Sequence, residues 1–157
     1  MQIEVSRDVF KLAQVFTISR GSRTEAKVLT VKVSDGTHQG WGECVPYARY
    51  NETLESVEAE IAALPAEITR QSLMELLPAG AARNAGGCAV GGLGAKRAGK
   101  RAWDLAGLSA PRPEIPAYNL SLGTPHALEA PAAANSHTPL LENKLGTPDE
   151  MPRLSAG

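Results

Sequence analysis

The sequence predicts an α+β protein, with an antiparallel β-meander followed by helices and then the opening of an alternating β/α domain. Three observations predict it. Apolar residues alternate with a period of two before residue 45, and the period lengthens to three and four after residue 51. Beyond the prolines at 111, 113 and 116, strand patterns and helix starts take turns.

Residues 3–11 alternate loosely, and 26–34, AKVLTVKVS, do so clearly. Leu29, Val31 and Val33 share one face while Val28, Thr30 and Lys32 share the other, the pattern of a half-buried strand. Asp35-Gly36 supplies the left-handed residue of a hairpin turn, and Gln39 to Glu43 return as the partner strand. Between the first two strands, FTISRGSRTEA centres on Arg20-Gly21-Ser22-Arg23 and is expected to be a polar, mobile loop.

Leu54, Val57, Ile61 and Leu64 then recur at helical spacing, and Glu52, Glu55 and Glu58 weight the N-terminal turns, where the helix dipole favours negative charge. Ser72 and Glu75 make a Ser-x-x-Glu box, placing a second helix start at Ser72. Residues 81–99 are alanine-rich and finish in Lys96, Arg97 and Gly99, as a helix does. Gly86, Gly87, Gly91, Gly92 and Gly94 stand inside that stretch. At roughly 0.8 to 1 kcal/mol each they cost about 4 to 5 kcal/mol of helix stability, comparable to a small domain's whole margin. They do not form a phosphate loop. Lys96 follows Ala95 rather than glycine, and Arg97 stands where Gly-x-Gly-x-x-Gly needs its third glycine.

Trp103, Leu105 and Leu108 form a short apolar cluster, and SAPRPEIP is a stiff linker dividing 1–110 from 117–157. Beyond it, AYNLSLG reads as a strand and Thr124-Pro125 as a helix start with proline at the first helical position. PLLENKLG is a further strand, and Thr147 to Glu150 repeats a capping box. An open strand pair there exposes edges and apolar faces, so weak order is expected beyond Pro116 unless a partner covers it.

Composition narrows the function. With 43% hydrophobic residues, 21% charged residues and a net charge of -1, nothing in the charge balance calls for nucleic acid or an acidic membrane surface. No apolar run approaches the roughly 18 residues of a membrane span, and MQIEVSRDVFKL has no apolar signal core, so the expected location is the cytoplasm. Cys44 and Cys88 are too few for a disulfide framework and are expected as buried or half-buried free thiols. His38, His126 and His137 have no metal-binding spacing.

Four stretches carry a resemblance: GWGECVPYARYNETLESV, RNA..CA...L.AKRAGK..WDLAGL, AYNLSLGTP and PLLENKLG. Together they resemble the dipeptide epimerases of the enolase superfamily, in the muconate-lactonising-enzyme-like branch, above all those acting on L-Ala-D/L-Glu from peptidoglycan turnover. The likeness runs over nearly the whole chain. It implies an enolase-like N-terminal capping domain over 1–110 that closes over the mouth of a TIM barrel, with the first β/α units of that barrel over 117–157. It implies two loops covering a small dipeptide, one carrying Arg20 and the other Tyr47, Arg49 and Tyr50. Arginine suits that task because its planar fork pairs with carboxylates, and tyrosine because it adds a rigid amphipathic wall. The resemblance leaves a homo-oligomer open.

The resemblance also implies lysine bases on opposite faces of the reacting carbon and a Mg2+ ion that stabilises the enediolate. Lys144 falls on the second lysine of the family's Lys-x-Lys motif, but the first is replaced by Glu142. Residues two apart on a strand face the same side, so Glu142 favours the ammonium form of Lys144, which cannot act as a base. The acidic metal ligands and the opposing lysine belong to later barrel strands, and 117–157 is far shorter than the roughly 200 to 250 residues of a barrel. No metal ligand is assigned, and no cofactor is expected for this chain alone. Epimerisation is expected of a longer enzyme. The chain by itself is expected to be inactive, as a capping or binding module or a truncated product. Other departures from the family pattern are GCAVGGLGAK where it reads like DCALWDLEAK, Asn119 at a common threonine, and Pro131, expected to interrupt the first barrel helix.

Overall fold

The computed structural model describes residues 1–18, 21–113, 117–120 and 125–143. Its alternating N-terminal region forms β1 (Gln2–Ile18), β2 (Gly21–Ser34) and β3 (Gln39–Cys44), one sheet of order β1-β2-β3. β2 and β3 are antiparallel, with Leu29 opposite Cys44 and Ser34 opposite Gln39. Leu29, Val31, Val33 and Cys44 are all buried in one core, as the period of two requires. Val28, on the other face, is buried as well.

The loop expected between the first two strands is narrower than its polarity implied. Residues 16–18 and 21–26 are strand, and only 19 and 20, Arg20 among them, lie outside the described residues. Residues 21–25 are all exposed. This arm buries no face, so backbone pairing holds it and no hydrophobic alternation marks it. Thr17 and Ser22 join their hydroxyls across the arms at 2.9 Å, and the Arg23 guanidinium lies over the Phe16 ring at 5.3 Å.

By its internal contacts the chain divides into two units, 1–10 with 26–111, and 11–25 with 112–157. The first unit packs helices on the inner face of the sheet. Helix α1 (Leu54–Ala62) is started by Thr53, whose hydroxyl accepts from Ser56 N–H while Ser56 returns the bond. It buries Val57 and Ile61, each burial contributing about 1.5 to 3 kcal/mol. Arg7 of β1 ties to it through Glu55 and Glu58. Helix α2 (Arg70–Leu76) begins before the expected start. Thr69 is its cap, and Ser72 is the third helical residue of a Thr69/Ser72 box. Serine fits either role of such a box, and only the backbone shows which one it holds.

Helix α3 (Ala81–Arg97) is continuous through all five glycines. Its propensity deficit is offset by tertiary contact, because Ala82, Ala85, Ala89 and Leu93 are buried against the sheet. The match is made from both sides. Gly40 and Gly42 face the helix, and a Cβ on either would collide with the carbonyl oxygen of Ala89 or Ala85. Trp41, between them, points the other way, with the Lys32 ammonium 5.6 Å from its ring centre. Gly99, at φ +59°, ends the helix: its N–H donates to Lys96 O (3.1 Å) and Lys100 N–H to Ala95 O (3.0 Å), a Schellman closure. Helix α4 (Ala102–Leu105) follows and closes the same way at Gly107. Of the apolar cluster expected here, Leu105 and Leu108 are exposed.

In the second unit, β4 (Ala117–Leu120) and β5 (Leu140–Asn143) pair in parallel, with Asn119 opposite Glu142. Helix α5 (Pro125–Ala134) connects them, giving a β-α-β unit. Pro131 lies within α5 and does not interrupt it. A proline removes one backbone hydrogen bond, and the helix runs on past that loss. Lys144 and the Thr147 to Glu150 box lie outside the described residues.

Candidate functional site

The stretch after β3 folds into a single tight turn. Pro46 and Tyr47 are half-buried, Tyr47 is extended, and Ala48–Tyr50 makes one 3-10 turn. Tyr50 N–H donates to Tyr47 O (2.9 Å) and Asn51 N–H to Ala48 O (3.0 Å). Asn51 then takes the left-handed conformation at φ 59°, a position asparagine tolerates, and reverses the chain into Thr53 and α1.

The turn gathers three of the expected residues. Tyr47 is half-buried, Arg49 is exposed and Tyr50 is 70% exposed. The Tyr47 and Tyr50 rings meet with centroids 5.8 Å apart, tilted by 57°, within the range of a favourable aromatic pair. A wall of two rings beside an exposed guanidinium can receive a carboxylate and the apolar part of a small ligand. Arg20 and Lys144 fall outside the described residues, so the structure brings together Tyr47, Arg49 and Tyr50.

One residue of the site was misread. Glu52, expected from its position to favour the dipole of the following helix, directs its carboxylate elsewhere. Oε2 accepts from Tyr47 N–H at 3.0 Å, and Oε1 accepts from Ala81 N–H, the first residue of α3, at 2.7 Å. An acidic residue one place before an N-cap carries no local signal for a bond 29 residues away.

Of the two cysteines, Cys44 is buried and Cys88 is exposed, which corrects the expectation that both would be covered. Cys88 lies on a helix face left open by neighbouring glycines. Burial, followed by the charges of Glu52 and Glu43, pushes the Cys44 thiol up to about 11. That thiol is a packing residue at neutral pH, not a nucleophile.

A groove of about 790 Å3 opens along α3 and α4, lined by Arg70, Arg83, Gly87, Gly91, Trp103 and Leu108 among others. Gly87, Gly91 and Gly92 of α3 form part of its wall. Neither Tyr47, Arg49 nor Tyr50 lines it. Among the described residues no group of three His, Cys, Asp or Glu side chains could hold a metal ion. None of their helices is long and apolar enough to cross a membrane.

Comparison with known proteins places this geometry. No family model matches the chain. It is 40% identical over 127 residues to the L-Ala-D/L-Glu epimerase of Escherichia coli strain K12, a match covering 78% of this chain and 40% of that protein. It is 35% identical over 135 residues to an N-acetyl-D-glutamate racemase of a Pseudoalteromonas species, covering 82% and 42%. The chain therefore spans about 40% of the length of the curated relatives it matches.

Among solved structures, it superposes with a TM-score of 0.88 and 44% identity on an enolase family member from Agrobacterium tumefaciens with homology to dipeptide epimerases. That protein was solved with sodium, L-Ala-L-Glu and an ordered loop, and the match covers 98% of this chain and 48% of it. A dipeptide epimerase from Methylococcus capsulatus, complexed with Mg and L-Arg-D-Lys, shares the fold at 24% identity and a TM-score of 0.78, over 99% of this chain and 49% of that one. The resemblance to dipeptide epimerases of the enolase superfamily thus holds in sequence and in fold. The β-meander and helices correspond to their N-terminal capping domain.

Proposed function

We propose that this chain is the capping part of an epimerase acting on dipeptides of the L-Ala-D/L-Glu class, in the cytoplasm and on products of peptidoglycan turnover, and that it is inactive by itself. The observation that carries the reading is the turn at Tyr47–Tyr50, which holds an exposed arginine and two packed tyrosine rings at the end of a half-buried strand. The similarity to a protein solved with L-Ala-L-Glu adds the substrate class.

In this reading the protein's own residues bind and exclude water. Arg49, with Arg20 from the other loop, pairs with the dipeptide's carboxylates. Tyr47 and Tyr50 form a dry wall over its side chain. Lys144 takes the family's base position, two residues after Glu142 in the sequence. Magnesium would supply charge stabilisation to the whole enzyme. Among the described residues no group of three His, Cys, Asp or Glu side chains fits a magnesium site. A second reading is a non-catalytic capping or binding module.

A hybrid tests the assignment: residues 1–110 of this chain replace the matching part of the Escherichia coli epimerase. The hybrid should epimerise L-Ala-L-Glu, and Arg49→Ala or Tyr50→Ala in it should raise KM about tenfold with a smaller change in kcat, the mark of lost substrate binding. Unchanged kinetics in both variants would refute the role of the turn.

A further inference from the structure

We infer that Glu52 is the positioning residue that sets the shape of the Tyr47–Tyr50 turn, by clamping it to the first turn of helix α3. The inference rests on the reading of that turn as the substrate-facing loop. Its own geometry stands apart from any substrate.

The clamp is built from both carboxylate oxygens. One accepts the N–H of Tyr47, the residue that opens the turn, and the other accepts the N–H of Ala81, which has no partner within its own helix. Glu52 N–H returns to Tyr47 O at 3.4 Å, so Tyr47 and Glu52 are joined in both directions across the turn. Gly80 leaves the space this requires, since a Cβ there would stand 2.7 Å from Oε1. A carboxylate has two acceptor oxygens, and both are used. A glutamine of the same size has one acceptor and a donor amide, so it cannot accept from both N–H groups.

The consequence is a fixed turn. The aromatic pair and Arg49 lie within the span closed by the three backbone bonds of the turn and the Glu52 contact, so their directions follow from where the carboxylate holds Tyr47. Glu52 touches no ligand in this account, and its effect on binding passes through the loop.

Amide hydrogen exchange on the full chain tests this without substrate. In Glu52→Gln the Tyr47 or Ala81 amide should exchange about tenfold faster, the size expected for loss of a hydrogen bond to a charged acceptor. Tyr50 and Asn51 should follow, while Val57 in α1 and Val31 in β2 keep their protection. A role in packing alone would leave this isosteric variant unchanged. Gly80→Ala approaches the same clamp from the helix side by crowding a flexible side chain, and it too should speed exchange at Tyr47. Exchange at Tyr47, Ala81, Tyr50 and Asn51 within about twofold of wild type in Glu52→Gln overturns the inference. Because no dipeptide is involved, a failed clamp and a failed substrate assignment remain separate results.

Discussion

The two ends of strand β3 are both fastened to helix α3, and they are fastened differently. At the hairpin end, Asp35 accepts from the N–H groups of Thr37 (2.9 Å) and His38 (2.7 Å) within its own turn, then from Arg97 Nε at 2.6 Å. Lys96 adds a bond to Gln39 O at 2.6 Å. At the other end, Glu52 spends its oxygens on one N–H of the turn and one N–H at the start of α3. The hairpin turn would hold its shape without the helix, because two of its three carboxylate contacts are local. The Tyr47–Tyr50 turn relies on the helix for one of its two. Both turns thus carry their own local hydrogen bonds, and each adds a single carboxylate contact to α3, from Arg97 at one end and from the Ala81 N–H at the other.

The seam shared by both ends gives the largest expected effect. Gly40→Ala and Gly42→Ala each drive a Cβ into an α3 carbonyl and should lower stability by about 3 kcal/mol or more, read as a fall in the urea midpoint. Equal and small losses would mean that β3 and α3 are not in close contact. Ile61→Ala, in the buried core under α1, should cost about 2 to 5 kcal/mol by leaving a cavity, again by urea denaturation.

Acid should act on the hairpin end. Hydrogen bonds from the His38 backbone and then from Arg97 hold the Asp35 carboxyl well below its usual range. A depressed folded-state value means that its stabilisation is fully present above about pH 4, the unfolded value, and is lost as pH falls further. Asp35→Asn should therefore flatten the low-pH limb of a stability profile, and Arg97→Ala should flatten it less.

Alkali should act at the loop end. The Cys44 thiol is raised to about 11, so its contribution is intact below about pH 8.5 and is lost as pH rises through 11. Towards a thiol reagent at pH 8 the native chain should show one fast cysteine, Cys88, and one that reacts only on opening. The smallest effects belong to Gly87→Ala and Gly94→Ala on α3, where a Cβ meets nothing within 4 Å. Each should stabilise by about 0.5 to 1 kcal/mol, measured as a rise in Tm.

These contrasts also show which features a sequence carries. Leu29, Val31 and Val33 announced their strand because burial on one face imposes a period of two, and Asp35-Gly36 announced its turn because φ near +93° at Gly36 suits glycine. The turn residues Tyr47, Arg49 and Tyr50 were legible through family resemblance. What was not legible was tertiary. Continuity of α3 through five glycines depends on Gly40 and Gly42 of another element, and the reach of Glu52 to Ala81 spans 29 residues. Strand at 16–18 and 21–26 departs from the expected loop because that arm is held by backbone pairing, which side-chain patterns do not encode.

The proposal stands on two parts, that the Tyr47–Tyr50 turn covers substrate and that the chain by itself is inactive. Incubating the purified chain with L-Ala-L-Glu and magnesium in heavy water, and following deuterium at the glutamate α-carbon, tests the second most directly. The account predicts no incorporation above a protein-free control. Time-dependent deuteration by the chain alone would contradict it.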